Sequence, residues 1–199
     1  ARKQFTVYLP PSYRSGTRRY PVAYYLHGAW GSEWDWVRSG RLDAAMDSLI
    51  ASGSPEMIVV MPDGDDAWYT TGSAIGRYQS CVAAPPREGE SAESYCVQWP
   101  RYDDYIARDL VAHVDSSYRT LSGVENRGIG GLSMGGYGAV TLALAYPDVF
   151  SAAASHSGTL SILVTGVDSA TGQPRLAEDL ESLRKWWGDR LWVMLEPVF

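Results

Sequence analysis

The spacing of apolar residues changes period along the chain, and each change marks an element. Gln4 to Leu9 alternates and carries Phe5, Val7 and Tyr8, the pattern of a strand, which Pro10 and Pro11 close. Val22 to Leu26, after Pro21, is apolar throughout, as a central parallel strand buried on both faces should be. From Arg41 to Ser52 the apolar residues fall at Leu42, Ala45, Met46, Leu49 and Ile50, which is helical spacing. Met57 to Met61 is a second continuous apolar run, stopped by Pro62-Asp63-Gly64. An irregular stretch follows over about residues 65–100, long enough to be a functional insertion. Tyr102 to Tyr118 returns to helical spacing, with Ile106, Leu110, Val111 and Val114 on one face. Arg127 to Gly131 is a short strand, Met134 to Tyr146 a helix of small and apolar residues ended by Pro147, and Ser151 to Ser155 another strand. Beyond Gly158 the pattern reads as loop, then as helix from about Leu176 to Trp187. Strands alternating with helices predict one α/β domain over residues 1–199, a mostly parallel sheet with helices on both faces. In such sheets, sites lie beyond the carboxyl ends of the strands.

Composition narrows the partners. The 199 residues carry a net charge of −6 with a pI near 5.0, which argues against nucleic acid and against anionic membranes. No apolar run approaches the roughly 20 residues of a membrane span. Ala1 leads straight into strand-like sequence without a signal peptide, so the start reads as processed or trimmed. Cys81 and Cys96 flank a loop rich in Pro, Gly, Ser and Glu. Two free thiols are one reading. A disulfide pinning the loop is the favoured one, and it implies a secreted or periplasmic protein. A zinc site is disfavoured, because no histidine lies near the pair.

The chemistry concentrates after two of the strands. Gly131-Leu132-Ser133-Met134-Gly135 has the form G-x-S-x-G. The form alone is weak, but here a strand precedes it and a helix follows, which is the context of a nucleophile elbow. A Gly-rich turn that binds phosphate, or nothing, is the bland alternative. Acyl transfer also needs two donors aimed at the developing oxyanion. The backbone N–H of Met134, at a helix N-terminus, is one candidate. The N–H of Ala29, in His27-Gly28-Ala29-Trp30-Gly31 after the Val22–Leu26 strand, is the other. Gly28 would allow the close approach, and His27 would brace the loop rather than act as base.

These motifs occur in a fixed order. His27-Gly28-Ala29-Trp30-Gly31 is followed by Met61-Pro62-Asp63-Gly64, by Asp103, Tyr105 and Arg108-Asp109-Leu110, by Gly131 to Gly136, and by Tyr146-Pro147-Asp148-Val149-Phe150. With Tyr8-Leu9-Pro10-Pro11-Ser12-Tyr13 near the start, the set resembles the esterase family that includes esterase D and antigen 85. Feruloyl and acetyl xylan esterases, S-formylglutathione hydrolases, enterochelin esterases and mycolyltransferases belong to that family too. The resemblance runs from about Phe5 to Gly158. It implies an α/β-hydrolase fold, no cofactor, a Ser–His–acid triad with Ser133 as nucleophile, and a small-molecule or carbohydrate-linked ester as substrate. Met134 and Ala29 then supply the oxyanion N–H groups. Trp34 and Trp36 match a segment near the acyl pocket, or serve as lid packing.

One departure matters. In this fold the triad runs Ser, then Asp or Glu, then His. Downstream of Ser133 stands one histidine, His156, with only Asp148 between them. Asp148 follows a helix of roughly 12 residues, about 18 Å long, that runs away from Ser133. It should therefore sit at the opposite end of the sheet. His156 is expected to line the pocket, with a role as surrogate base the lesser reading, and His113 to be structural. The family's acid and base are expected beyond Phe199, so the chain reads as truncated. Its apolar end, Leu191 to Leu195, supports that, and the open sheet edge calls for a missing C-terminal segment or a dimer partner. An ester hydrolase on Ser133 is the leading function. An acyltransferase of the same family and a catalytically dead binding or scaffold protein are the alternatives.

Overall fold

The structure is a computed structural model that describes residues 3–65, 67–71, 82–84, 101–161 and 163–186. Its centre is a five-stranded sheet of β1 (Phe5–Tyr8), β2 (Val22–Leu26), β3 (Ile58–Pro62), β4 (Arg127–Leu132) and β5 (Ala152–His156). The order is β1-β3-β2-β4-β5, with β1 antiparallel to β3 and every other pairing parallel. The unbroken apolar run of β2 lies in the middle of the sheet, as its pattern predicts. Register aligns the strand ends: Leu26 pairs with Gly131, and Leu132 with His156. His27, Ser133 and Ser157 therefore leave the sheet along one edge.

Alternation along the strands sorts side chains onto two faces. Val22, Tyr24, Leu26, Ile58, Val60 and Ile129 pack into the larger core. Over it lie α3, built of Tyr102–Asp104, a π-helical stretch Tyr105–Leu110 and Val111–Ser117, and α4 (Met134–Ala145). Full burial of such a side chain is worth about 1.5–3 kcal/mol. Tyr8, Val59 and Met61 point the other way, where α1 (Asp35–Arg38) and α2 (Leu42–Ala51) cover them with Trp36, Val37, Leu42, Met46 and Ile50. Helices thus occupy both faces. At the amino end of the sheet, buried Arg127 donates to Asp115 at 2.8 Å, to the Ser122 carbonyl at 2.9 Å and to the Val149 carbonyl at 3.0 Å.

Two features depart from the sequence reading. Apolar spacing does not separate i+4 from i+5 hydrogen bonding, so the π-helical stretch of α3 was not foreseen. Beyond Gly158, a hairpin of β6 (Val164–Val167) and β7 (Pro174–Leu176) replaces the expected loop, and helix is confined to residues 180–186 among the described ones. Asp168 builds the hairpin turn: its side chain accepts the N–H groups of Ala170 and Thr171, and its N–H donates to the Gln173 carbonyl at 2.8 Å. Among the described residues, no helix is long and apolar enough to cross a membrane.

Candidate active site

Ser133 stands between β4 and α4 with φ 53° and ψ −113°, a conformation that an L side chain adopts only under strain. Neighbouring hydrogen bonds hold it there. Its N–H donates to the His156 carbonyl at 2.9 Å, and its own carbonyl accepts the Tyr137 N–H at 3.0 Å. Met134 opens α4 and is fully buried. At a helix start its N–H has no intrahelical acceptor and sits at the positive end of the macrodipole. Gly135 allows this placement, because a Cβ there would overlap the carbonyl oxygens of Leu26 and His27.

The loop after β2 comes up against the same serine. The Cβ position of Gly28 lies 3.6 Å from the Ser133 Cβ and 3.4 Å from the Leu132 carbonyl oxygen. The Gly28 carbonyl accepts from His27 Nδ1 at 2.7 Å and from the Gly31 N–H at 3.1 Å. A trans peptide is planar, with N–H opposed to C=O, so anchoring the Gly28 oxygen turns the Ala29 N–H the other way. Trp30, next in the loop, is also left-handed at φ 61°.

His27 braces this loop from a site only 1% exposed. Its Nε2 accepts the Gly64 N–H at 2.9 Å and lies 3.5 Å from Asp63 Oδ1. Burial works against a charged ring, while the Asp63 carboxylate and the Gly28 carbonyl favour it and prevail, so its pKa lies above the ordinary imidazole value. Above that pKa, the neutral ring with its proton on Nδ1 satisfies both contacts, donating to Gly28 and accepting from Gly64. Burial likewise opposes charge on Asp63, but His27, the Asp65 N–H at 2.9 Å and Lys3 hold its carboxyl below the usual range. Beside it, Asp65 is paired with Lys3 and accepts from the Tyr102 hydroxyl.

The remaining expected residues divide. Trp36 donates from Nε1 to the Leu26 carbonyl at 3.1 Å and meets Tyr25 edge-on at 5.0 Å. His156 is exposed and lies against Trp36 at 5.8 Å and Tyr25 at 6.3 Å. Trp34 is 41% exposed, with Arg38 stacked over its ring, and borders a groove of about 600 Å³. That groove runs along β1, past Tyr8, Asp43 and Asp47, and does not reach Ser133. Asp148 is exposed, next to the Val149 carbonyl that Arg127 binds at the amino end of β4, so it stands at the far end of the sheet from Ser133. His113 packs edge-on against Phe5 at 5.6 Å. Among the described residues, none of the three histidine rings and no carboxylate hydrogen-bonds to the Ser133 hydroxyl. Cys81 and Cys96 lie outside the described residues, and no disulfide is found among the described ones. No group of His, Cys, Asp or Glu side chains suited to a metal ion occurs among the described residues.

Sequence reasoning missed Gly64 and Tyr69 as parts of this site. Gly64 was legible as the end of a strand and as part of Met61-Pro62-Asp63-Gly64, but not as a partner of His27. Tyr69 fell in a stretch without period, although its hydroxyl donates to the His27 carbonyl at 3.1 Å.

The family described as "Putative esterase" matches residues 1–195. The chain belongs to this esterase family. The chain is 34% identical over 159 residues to Esterase Rv1288 of Mycobacterium tuberculosis (strain H37Rv), a match that covers 78% of the chain and 29% of that protein. It is 32% identical over 150 residues to an endo-1,4-beta-xylanase/feruloyl esterase of Xylanibacter ruminicola, covering 72% of the chain and 18% of that protein. Among solved structures it resembles a ferulic acid esterase, with a TM-score of 0.63 and 29% identity over 80% of the chain and 56% of that structure. The fold is the α/β-hydrolase fold. The chain spans less than a third of the length of these curated relatives.

Proposed function

We propose that the esterase is a serine carboxylic-ester hydrolase that works through an acyl-enzyme on Ser133. The observation that carries this reading is the pairing of a strained Ser133 at the start of α4 with the Gly28–Ala29 peptide beside it. In the reaction, the Ser133 hydroxyl oxygen attacks the ester carbonyl carbon while a histidine takes its proton. The carbonyl oxygen gains the negative charge, and the N–H groups of Met134 and Ala29 stabilise it. Collapse expels the alcohol, which takes the proton back from the histidine. Water then repeats the sequence on the acyl-enzyme and frees the acid. Since no histidine meets Ser133 among the described residues, the base and its acid partner are assigned to chain outside them. His27 is committed to the loop, and His156 to the pocket rim beside Trp36.

The substrate is proposed to be a small-molecule or carbohydrate-linked ester, the class that the feruloyl esterase relatives suggest. A secreted or periplasmic location suits an ester carried on polysaccharide. No cofactor is needed for this chemistry. Transfer of the acyl group to a sugar hydroxyl is the same reaction with another acceptor.

A second reading, a binding or scaffold protein on this fold, is favoured by one observation, the absence of a base at Ser133 among the described residues. Fluorophosphonate labelling of the natural polypeptide that carries this chain separates the two. Labelling at Ser133 that disappears in Ser133→Ala is expected; undiminished labelling in that variant defeats the assignment. Turnover of p-nitrophenyl acetate should be weak for the 199 residues alone and several orders of magnitude higher for the natural polypeptide. Equal rates would make His156 or another local group the base.

A further inference from the structure

We propose that Tyr69 is a positioning residue of the oxyanion loop: its hydroxyl fixes the His27–Gly28 peptide and so determines where the Ala29 N–H points. The proposal rests on the esterase reading above and adds a group outside the motifs that carry it.

Tyr69 is fully buried, with a left-handed φ of 58°. Its ring fits between two bare stretches of backbone. A Cβ at Gly64 would overlap the ring, and one at Gly138 would come within 2.6 Å of it. Gly64 follows β3 and Gly138 lies in α4, so the ring joins the end of one strand to the helix that carries Ser133 at its start. The ring edge also meets the His27 imidazole at 5.9 Å. From this clamped ring the hydroxyl reaches a third element and donates to the His27 carbonyl at 3.1 Å.

The consequence falls on Gly28. A Cβ there would only touch Ser133, at 3.6 Å, but glycine is the residue with the most backbone freedom to lose. Two anchors remove that freedom. Tyr69 holds the oxygen of the peptide before Gly28, and His27 Nδ1 with the Gly31 N–H holds the oxygen of the peptide after it. Fixing both planar peptides fixes φ and ψ between them. The donor is thereby oriented before any ester arrives, which is what electrostatic stabilisation of a transition state requires.

The test compares Tyr69→Phe with the natural polypeptide that carries this chain. Phenylalanine keeps the ring between Gly64 and Gly138, so the fold is retained, and the urea midpoint checks that. Loss of one hydrogen bond from an oriented donor should lower kcat on p-nitrophenyl acetate by about tenfold while KM stays unchanged. In amide hydrogen exchange, the Gly31 and Gly64 N–H groups, which bond to Gly28 and His27, should exchange about tenfold faster, with Gly130 inside β4 unaffected. A variant with natural kcat, or with natural exchange at Gly31 and Gly64, overturns the proposal. Natural protein without Ser133-dependent turnover counts against the esterase reading instead, and the exchange comparison still decides whether Tyr69 holds the loop.

Discussion

The carboxyl edge of the sheet has two halves built to different standards. On the β2 and β3 side, His27, Asp63 and Tyr69 are buried: Tyr69 donates to the His27 carbonyl, His27 accepts the Gly64 N–H and lies 3.5 Å from the Asp63 carboxylate, and Asp63 accepts the Asp65 N–H. On the β5 side, every residue of the strand is exposed, and Leu160, Leu163, Val167 and Leu176 of the following segment present apolar side chains to solvent. Ser133 stands at the seam. Under the proposed function, the first half orients the donors that would hold negative charge, through the bonds that His27 and Tyr69 make to the Gly28 loop. In the proposed reaction a base would approach from the second half, where among the described residues the one histidine is His156, which meets Trp36 edge-on. In the proposed reaction, stabilising charge and moving protons would then be separable tasks, set at different depths of burial.

That contrast can be broken most severely at the seam itself. Ser133→Ala is expected to reduce ester turnover of the natural polypeptide by about 10⁴-fold or more, measured as kcat on p-nitrophenyl acetate. A residual rate close to that of the natural protein would place the nucleophile elsewhere. Next comes the buried half. His27→Ala strips partners from the Gly64 N–H and the Gly28 carbonyl, and should cost about 2–3 kcal/mol in urea unfolding at neutral pH. A cost near zero would show that the network is slack.

Acidification probes the same half more gently. The folded pKa of Asp63 lies below its unfolded value, so its contribution to stability is full above the ordinary carboxylate range and is lost as pH falls through the folded pKa. The urea midpoint should accordingly fall as the pH drops below the ordinary carboxylate range, and Asp63→Asn should flatten that fall. An equally steep acid limb in the variant would assign the dependence to other carboxylates, Asp103 first among them. The smallest effect is expected on the exposed half. Leu176→Ser, at a site 61% exposed, should change stability by no more than about 0.5 kcal/mol. A larger loss would reveal that this leucine is covered in the natural protein.

The same division explains what the sequence disclosed. Periodicity found each strand of the main sheet, because each is either alternating or continuously apolar over a short run. It gave β2 its observed bounds, Val22–Leu26, and shifted two others by a residue: Met57–Met61 is observed as Ile58–Pro62, and Ser151–Ser155 as Ala152–His156. Strand ends at the site are set by tertiary bonds such as the one from the Ser133 N–H to the His156 carbonyl, which no local pattern encodes. Ser133 was legible because the tight turn around it restricts residue type strongly: a Cβ at Gly131 or Gly135 would overlap backbone. The partners of His27 were not, since Gly64 and Tyr69 lie 37 and 42 residues away in sequence. The β6–β7 hairpin escaped notice because Gly166 interrupts its alternation and a bulge sits between Val164 and Gly166.

The backbone of Ser133 carries a cost of its own, apart from the hydroxyl. At φ 53° and ψ −113°, glycine would rest more comfortably than serine, by about 1 kcal/mol. A Ser133→Gly variant should then unfold at higher urea than Ser133→Ala, although both lack the hydroxyl. The turn is thus a small store of folding energy, and the pair of variants weighs it without reference to any ester.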